Sequence, residues 1–182
     1  LSIILTANGV SSIFSSFGGS YHVELSRSFF RQYLFSMMVG ILLALLLLVG
    51  VAALIFFEIY ILNNLEDLIP SEVNWIRFGQ IFFYIILTYI SVAILYYFGT
   101  IEGKKTHFFS PGALMTCLLI LLTTYFFGIY IENFSKYNQL YGSIGALLIF
   151  LFYIWLNSSV LLLGFELNAT LNRLKNQDKV VS

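Results

Sequence analysis

Charged and apolar residues of this chain are separated into long blocks. Four stretches contain no Asp, Glu, Lys or Arg, at 32–57, 78–101, 106–131 and 137–165. Each block holds between 24 and 29 residues, and roughly 20 helical residues cross a hydrocarbon core about 30 Å thick. Each block is therefore long enough for one membrane crossing and too short for two.

The blocks predict transmembrane helices, because a backbone surrounded by lipid must satisfy its own hydrogen bonds. We expect four full spans, at about 34–60, 78–98, 111–131 and 143–165. Apolar runs such as 41–50 lack the short alternation that is typical of an outer-membrane barrel. The predicted fold is all-α, a polytopic transmembrane helix bundle that forms a single domain over residues 1–172, with a tail at 173–182.

The first 17 residues are uncharged and moderately apolar, and they fall just short of a full span. We interpret them as the end of a membrane helix whose beginning precedes this chain, so that residues 20–31 reach the cytoplasm. An amphipathic helix in the membrane interface is the alternative. Such a helix normally carries Lys or Arg on one face, and none precedes Arg27.

The basic residues predict the orientation of the bundle. Seven Lys and Arg residues lie before the first span, between the second and third spans, or in the tail, whereas Arg77 and Lys136 lie on the other side. Because cytoplasmic loops are enriched in Lys and Arg, we expect the seven to be cytoplasmic. The chain is thus predicted to be a multi-pass protein with a cytoplasmic C-terminus.

Composition excludes several classes of protein. Of the 182 residues, 59% are hydrophobic and 10% are charged, and the net charge is zero. A disordered chain needs the opposite balance, and a nucleic-acid binder needs an excess of Lys and Arg. The single cysteine and the two histidines, His22 and His107, do not form a metal-ligand pattern. Since no catalytic motif is evident, we expect no enzymatic activity, no cofactor and no metal site.

Small and polar residues in the last span recur at helical spacing. The stripe consists of Gly142, Ala146, Tyr153, Asn157, Val160 and Gly164. Because membrane helices pack through small residues and sparse polar groups, we expect Gly142, Ala146 and Gly164 to contact other helices. Asn157 requires a partner on a neighbouring helix, or water, since hydrocarbon offers none. Leu147, Leu151 and Trp155 lie on another side of this helix, which we expect to face lipid.

Hydroxyl groups also occur in the second and third spans, including Thr88, Ser91, Thr123 and Thr124. One interpretation is a polar cavity lined by Tyr153, Asn157, Thr88 and Ser91. The other is simple packing, in which each hydroxyl bonds a backbone carbonyl one turn earlier. Tyr96 is expected in an aromatic belt at the membrane surface.

Glu166 closes the last span and is the acidic residue nearest to membrane depth. We weigh an interfacial ion pair with Arg173 or with a basic loop residue against a role in transport or proton transfer. Ser110 and Pro111 predict a capped start for the third span. Serine caps free amides, and proline at the first helical position loses no hydrogen bond.

Several short motifs, in this order, resemble the YihY/virulence factor BrkB family of bacterial inner-membrane proteins. They are Ala7-Asn8-Gly9, Arg27-Ser28-Phe29, Ser110-Pro111-Gly112-Ala113, Tyr141-Gly142-Ser143 and Leu163-Gly164-Phe165-Glu166-Leu167-Asn168-Ala169. The resemblance implies six membrane helices with both termini in the cytoplasm, of which this chain would hold the end of the second and all of the third to sixth. It points to Tyr141, Gly142, Gly164, Glu166 and Asn168 as positions to test.

The family was once labelled a ribonuclease, and no residue pattern here supports that label. Its members have unsettled functions, with transport or envelope roles proposed. We therefore expect a transporter or a flippase-like protein for a small solute or lipid, and a non-transporting scaffold of an envelope assembly is the alternative. The expected partners are membrane lipids, other membrane proteins or a second copy, and not nucleic acid.

Overall fold

The computed structural model describes residues 1–19, 28–65, 74–99, 109–134 and 138–181. These residues form five helices, which are α1 (Ser2–Gly18), α2 (Phe29–Leu65), α3 (Asn74–Gly99), α4 (Pro111–Phe134) and α5 (Asn138–Val181). Four of the helices contain segments that are long and apolar enough to cross a membrane, at Phe29–Tyr60, Phe78–Gly99, Pro111–Glu132 and Gly145–Lys175. The predicted all-α class with four membrane-length helices is thus confirmed.

Two helices extend well beyond the predicted spans. Helix α2 begins five residues before the predicted 34–60 span and ends five residues after it. Helix α5 has 44 residues and continues through 173–181, most of the predicted tail. Nothing in this sequence stops the helix at the end of the apolar block, because no Gly or Pro follows Gly164. By contrast, α4 begins at Pro111 as predicted.

Consecutive helices are neighbours in space. The most extensive contacts join α1 to α2 and α4 to α5, while α3 lies between these pairs and contacts both α2 and α4. The Gln32 side chain of α2 donates to the Ser15 hydroxyl of α1 over 2.8 Å. Helix α1 also reaches α3 and α5, so the five helices meet around one core.

The core lies at one end of the bundle, which we call the packed end. It is where α1 and α3 end, where α2 and α4 begin, and where residues 160–168 of α5 pass. At its centre the Phe17 and Phe165 rings stack with centroids 4.3 Å apart. The Tyr96 ring meets both edge-on, at 5.7 and 5.9 Å. Aromatic pairs in these geometries stabilise a core beyond the area they bury.

The opposite end, which we call the open end, comprises residues 51–60, 78–86, 122–132 and 145–155. Large apolar side chains there are mostly exposed, among them Phe56, Phe82, Phe126 and Trp155. As predicted from the stripe in the last span, Leu147, Leu151 and Trp155 are more than half exposed. Lipid tails are as apolar as the side chains of a protein core. The exposure of these side chains therefore fits a surface that is embedded in a membrane.

Candidate functional site

The closest approach of α4 and α5 occurs at two glycines. A methyl group placed on Gly164 would lie 2.6 Å from the Tyr96 hydroxyl and 2.8 Å from the Gly112 carbonyl oxygen, and it would collide with the Thr116 hydroxyl. A methyl group on Gly112 would in turn collide with the Gly164 carbonyl oxygen. Only glycine at both positions allows the two backbones to come this close, as is common at membrane helix crossings.

The Tyr96 hydroxyl is bonded on both sides at this crossing. It donates its proton to the Leu161 carbonyl oxygen of α5 over 2.7 Å. The Thr116 hydroxyl lies 2.6 Å from the same oxygen. Since the tyrosine proton is already used, Thr116 must be the donor in that second bond. Tyr96 is 3% exposed, so the expected place for it in an aromatic belt at the membrane surface is wrong: its ring joins the Phe17–Phe165 stack instead.

Asn168 of α5 caps the start of α4. Its Oδ1 accepts the Gly112 backbone N–H over 2.8 Å, and its Nδ2 donates to the Ser110 hydroxyl over 2.9 Å. The Ser110 Oγ also accepts the Ala113 N–H, at 3.3 Å. The predicted serine cap is therefore confirmed, and it is doubled by an amide from another helix. Because the first amides of a helix have no partner inside it, this arrangement satisfies buried groups that would otherwise be unpaired.

A second set of polar side chains lies farther along the same α4–α5 contact. We call it the seam row, and it consists of Thr123, Thr124, Tyr153 and Asn157. The Thr123 hydroxyl lies 2.9 Å from the Ile120 carbonyl oxygen and 3.2 Å from Asn157 Oδ1. The Thr124 and Tyr153 hydroxyls lie 2.8 Å apart. All four side chains are half-buried, so the row is partly open at its surface.

The seam row lies near the middle of the membrane-length segment of α4, Pro111–Glu132. Thr123 and Thr124 are 12 and 13 residues beyond Pro111, or about 18 to 20 Å along a helix whose whole membrane segment is about 33 Å long. The Tyr153 ring stacks on Phe127, with centroids 4.4 Å apart, and this stack directs its hydroxyl toward Thr124. Polar side chains at this depth are uncommon and often functional.

The cavity predicted from sequence is only partly assembled. Tyr153 and Asn157 do lie together, since Asn157 Nδ2 donates to the Tyr153 carbonyl oxygen over 2.8 Å. Thr88 and Ser91 are also half-buried, but Ser91 donates to the Leu87 carbonyl oxygen of its own helix at 2.9 Å. Among the described residues no hydrogen bond joins α3 to the seam row. The partners of Tyr153 and Asn157 on α4 are instead Thr124 and Thr123.

The remaining predicted site residues occupy different environments. Gly164 is at the α4–α5 crossing, whereas Ala146 is exposed and the surroundings of Gly142 lie outside the described residues. Glu166 is half-buried, and the structure shows no ion pair between it and Arg173 within the ranges that it describes. The basic loop residues Lys104 and Lys105, the other predicted partners of Glu166, lie outside those ranges.

Sequence reasoning did not find the bonds that matter most at the packed end. Thr116 and Tyr96 were visible as polar side chains in apolar blocks, but no pattern in one sequence pairs residues 20 positions apart across two helices. His, Cys, Asp and Glu side chains form no group of three that could hold a metal ion, in the part of the chain that the structure describes. The chemistry of the site is thus that of neutral hydroxyls and amides.

Comparison with known proteins identifies the family. The sequence model of the family described as "Virulence factor BrkB" matches residues 2–181. The chain belongs to the virulence factor BrkB family. The resemblance inferred from the motifs is therefore confirmed, and the match extends over all five helices of the structure.

Individual relatives share between 27 and 34% of the aligned residues with this BrkB-family chain. It is 28% identical to the ribonuclease-like protein YfkH of Bacillus subtilis (strain 168) over 174 residues, which are 93% of this chain and 62% of YfkH. It is 34% identical to the UPF0761 membrane protein XAC0937 of Xanthomonas axonopodis pv. citri (strain 306) over 71 residues, which are 39% of this chain and 17% of that protein.

A third relative is the UPF0761 membrane protein XCC0860 of Xanthomonas campestris pv. campestris (strain ATCC 33913). It is 27% identical over 93 residues, or 51% of this chain and 22% of the relative. The BrkB-family chain thus spans about three fifths of the Bacillus relative and less than a quarter of either Xanthomonas relative. No solved structure matches it.

Proposed function

We propose that this chain is part of a transporter, acting in the manner of a flippase on a lipid or a small solute. The seam row is the observation that supports the proposal. It consists of four hydrogen-bonding side chains near the middle of the membrane-length segment of α4, and all four are half-buried rather than sealed inside the bundle. A polar molecule that crosses a bilayer needs such partners at the depth where lipid provides none.

The packed end supports the same proposal by its contrast with the seam row. Gly112, Gly164 and Asn168 hold α4 and α5 together there, while the seam row lies toward the open end. A tight crossing at one end and half-buried polar contacts farther along are compatible with separation of the far parts of the two helices. Movement of helices around a midplane site is how many transporters expose that site to each side in turn.

We further propose that the protein resides in the bacterial inner membrane with the C-terminus of α5 in the cytoplasm. The seven basic residues before the first span, in the second connection and in the tail support this orientation. With that orientation the packed end is cytoplasmic, and the open end faces outward. Membrane lipids are the partners that the proposal requires, and it includes no nucleic acid.

Lipid movement in proteoliposomes tests the transport proposal. The full-length protein is reconstituted with phosphatidylcholine that carries a fluorescent nitrobenzoxadiazole group, and dithionite is added to bleach the outer leaflet. Wild-type protein is expected to let dithionite bleach well over half of the fluorescence, since lipids from the inner leaflet become accessible. Swelling of the same vesicles in glycerol tests a small neutral solute instead of a lipid.

Variants of the seam row connect any transport to this site. Tyr153→Phe and Asn157→Leu should abolish most of the movement. Ser158→Ala should leave it unchanged, because the Ser158 hydroxyl bonds the Ile154 carbonyl oxygen of its own helix. The transport proposal would be contradicted if dithionite bleached only half of the fluorescence and the vesicles swelled in glycerol no faster than vesicles without protein. Equal transport by the wild type and all three variants would show that transport does not depend on the seam row.

The alternative is a scaffold that holds another envelope protein and transports nothing. One observation favours it: the buried polar groups Tyr96, Thr116, Ser110 and Asn168 all find partners inside the chain, as a static bundle requires. This candidate predicts that one membrane protein copurifies in stoichiometric amount from the native host. Replacement of the seam row should then leave that association intact.

We propose no enzymatic activity for the chain. The word ribonuclease belongs to the name of the Bacillus relative, and the polar clusters described above contain hydroxyl and amide groups only. Hydrolysis of RNA by a two-metal mechanism requires clustered carboxylates. A nuclease assay with the purified protein and magnesium, compared with a Glu166→Gln variant, tests this part of the proposal.

A further inference from the structure

Two hydrogen-bond donors of the seam row have no acceptor placed for them among the described residues. Tyr153 and Thr124 each carry one hydroxyl proton, and a single bond of 2.8 Å joins their oxygens. Whichever group donates, the proton of the other points away from that bond. Within the described residues neither hydroxyl has a second hydrogen bond. One O–H proton of the pair is therefore left over at the surface of the row.

The Asn157 amide adds a second unused donor. Its orientation is fixed by its neighbours, because the amide nitrogen must face the Tyr153 carbonyl oxygen and the amide oxygen then faces the Thr123 hydroxyl. The nitrogen carries two protons, and the bond to Tyr153 uses one. No other group in the described part of the chain accepts the second proton. The row thus presents two donors, one from a hydroxyl and one from an amide.

The ligand that fits two unused donors is an oxygen acceptor, and the surroundings select an uncharged one. The blocks 106–131 and 137–165, which contain the whole row, have no Asp, Glu, Lys or Arg. An anionic acceptor such as phosphate would therefore find no cation within these two blocks to balance it, and a buried unpaired charge is costly. At the middle of a bilayer the lipid itself offers only hydrocarbon.

We propose that the seam row is a binding site for an uncharged oxygen acceptor, either the ester carbonyl of a glycerolipid in transit or a hydroxyl oxygen of a neutral solute. This inference rests on the proposed transport function and names the chemistry of its substrate. The Tyr153 hydroxyl or its Thr124 partner donates to one oxygen, and Asn157 Nδ2 donates to the same or the next. The Phe127 ring, stacked on Tyr153, keeps the donor in place.

Retained lipid measures binding without any transport step. The full-length protein is placed in nanodiscs with equal amounts of diester and dialkyl-ether phosphatidylcholine that share one headgroup and one chain length. Native mass spectrometry then counts the lipids that stay bound. Wild-type protein is expected to retain the diester lipid about fivefold over the ether, which is the effect of about 1 kcal/mol from one hydrogen bond.

Three substitutions locate the preference. Tyr153→Phe, Thr124→Val and Asn157→Leu each remove a donor or its partner with little change of volume, and each should bring the diester-to-ether ratio close to one. If one of them does not fold, the other two still carry the test. Ser158→Ala is the matched control and should keep the wild-type ratio.

A second arm detects a neutral solute. Protein labelled with 3-fluorotyrosine gives a fluorine NMR signal for Tyr153, which is assigned by its loss in Tyr153→Phe. Glycerol should shift this signal in the wild type and not in Asn157→Leu if the acceptor is a solute hydroxyl. A ratio near one in the wild type together with an unmoved signal overturns the inference, and so does an ester preference that all three substitutions leave unchanged.

The binding test and the transport test fail independently. Ester preference or a glycerol shift without movement in proteoliposomes would keep the binding site and remove the transporter. Movement that persists in Tyr153→Phe without any ester preference or glycerol shift would keep the transporter and remove this site.

Discussion

The two ends of this helix bundle use polar residues in opposite ways. At the packed end, Tyr96, Thr116 and Asn168 are nearly inaccessible, and each side chain bonds a partner on another helix. In the seam row, Tyr153 and Asn157 remain half-buried and retain unused donors within the described structure. The same types of group thus fix the backbone in one place and stay available in the other.

The difference between the packed end and the seam row accompanies the two glycines at the packed end. Gly112 and Gly164 bring α4 and α5 so close at the packed end that every polar atom there must be paired. Eleven residues farther along each helix, the contact between α4 and α5 is made by the larger side chains of Thr123, Thr124, Tyr153 and Asn157. The polar groups at the packed end are buried and those of the seam row are half-buried, so substitutions in the two places should have different consequences.

Gly164→Ala should produce the largest loss of stability. The added methyl group would collide with Thr116 and come too close to Tyr96 and to the Gly112 backbone, and overpacking of this kind costs about 1 to 3 kcal/mol or more. Reversible unfolding in mixed micelles measures the change. Gly128→Ala is the control, since no heavy atom would lie within 4 Å of its methyl group. Equal losses for both variants would contradict the proposed crossing.

Asn168→Leu should rank second. It leaves the Gly112 amide without its acceptor and the Ser110 hydroxyl without its donor, and an unsatisfied buried group costs about 1 to 3 kcal/mol. The free energy of unfolding should fall by that amount, and hydrogen exchange at the start of α4 should accelerate. The exposed Asn8 provides a comparison, because Asn8→Ala should change neither quantity.

Tyr96→Phe should cost less, about 1 kcal/mol. The ring keeps its contacts with Phe17 and Phe165, while the bonds to Leu161 and Thr116 are lost. A double-mutant cycle with Thr116→Val should show coupling, because the two hydroxyls share one bond. Tyr84, half exposed on the same helix, is the matched control. Additive effects of Tyr96→Phe and Thr116→Val would rule out the shared bond.

Tyr153→Phe should reduce transport strongly while changing stability little. The free energy of unfolding should fall by less than about 1 kcal/mol, since the hydroxyl is half-buried and makes a single hydrogen bond, to Thr124. The transport signal in proteoliposomes should nevertheless disappear. The packed-end variant Tyr96→Phe should keep its transport once the folded fraction is corrected for. A loss of transport in proportion to stability in both variants would remove the distinction between the ends.

Leu151→Ala at the open end should have the smallest effect. Leu151 is 52% exposed, and lipid tails are as apolar as leucine, so the free energy of unfolding should change by less than about 0.5 kcal/mol. The same measurement in micelles applies. A loss of about 2 to 5 kcal/mol, which is typical of a protein core, would show that protein rather than lipid covers this face.

The sequence predicts the large-scale features of this fold well. Four charge-free blocks became four membrane-length helices because charge at membrane depth is costly whatever the neighbours are. The start of α4 at Pro111 and the lipid-facing side of α5 around Leu151 also followed from local rules. Each of these features depends on residues that are close together along the chain.

Features that depend on two distant segments were not accessible in this way. The bond between Asn168 and Gly112 joins residues 56 positions apart, and helical periodicity gives no indication of such a pairing. The enrichment of tyrosine at membrane surfaces predicts that position for Tyr96, whereas the Phe17–Phe165 stack places it in the core. Thr123 and Thr124, rather than Thr88 and Ser91, meet Tyr153 and Asn157, because the position of the α4–α5 crossing is set by distant glycines.

The uninterrupted length of α5 has a mechanical consequence. From Gly164 to Val181 the helix continues for 17 residues, or about 25 Å. If this segment of α5 tilts as a rigid body by about 10° at the glycine crossing, its C-terminal end moves sideways by about 4 Å. Separation of α4 and α5 at the seam row by such a tilt would therefore displace the C-terminal end of α5.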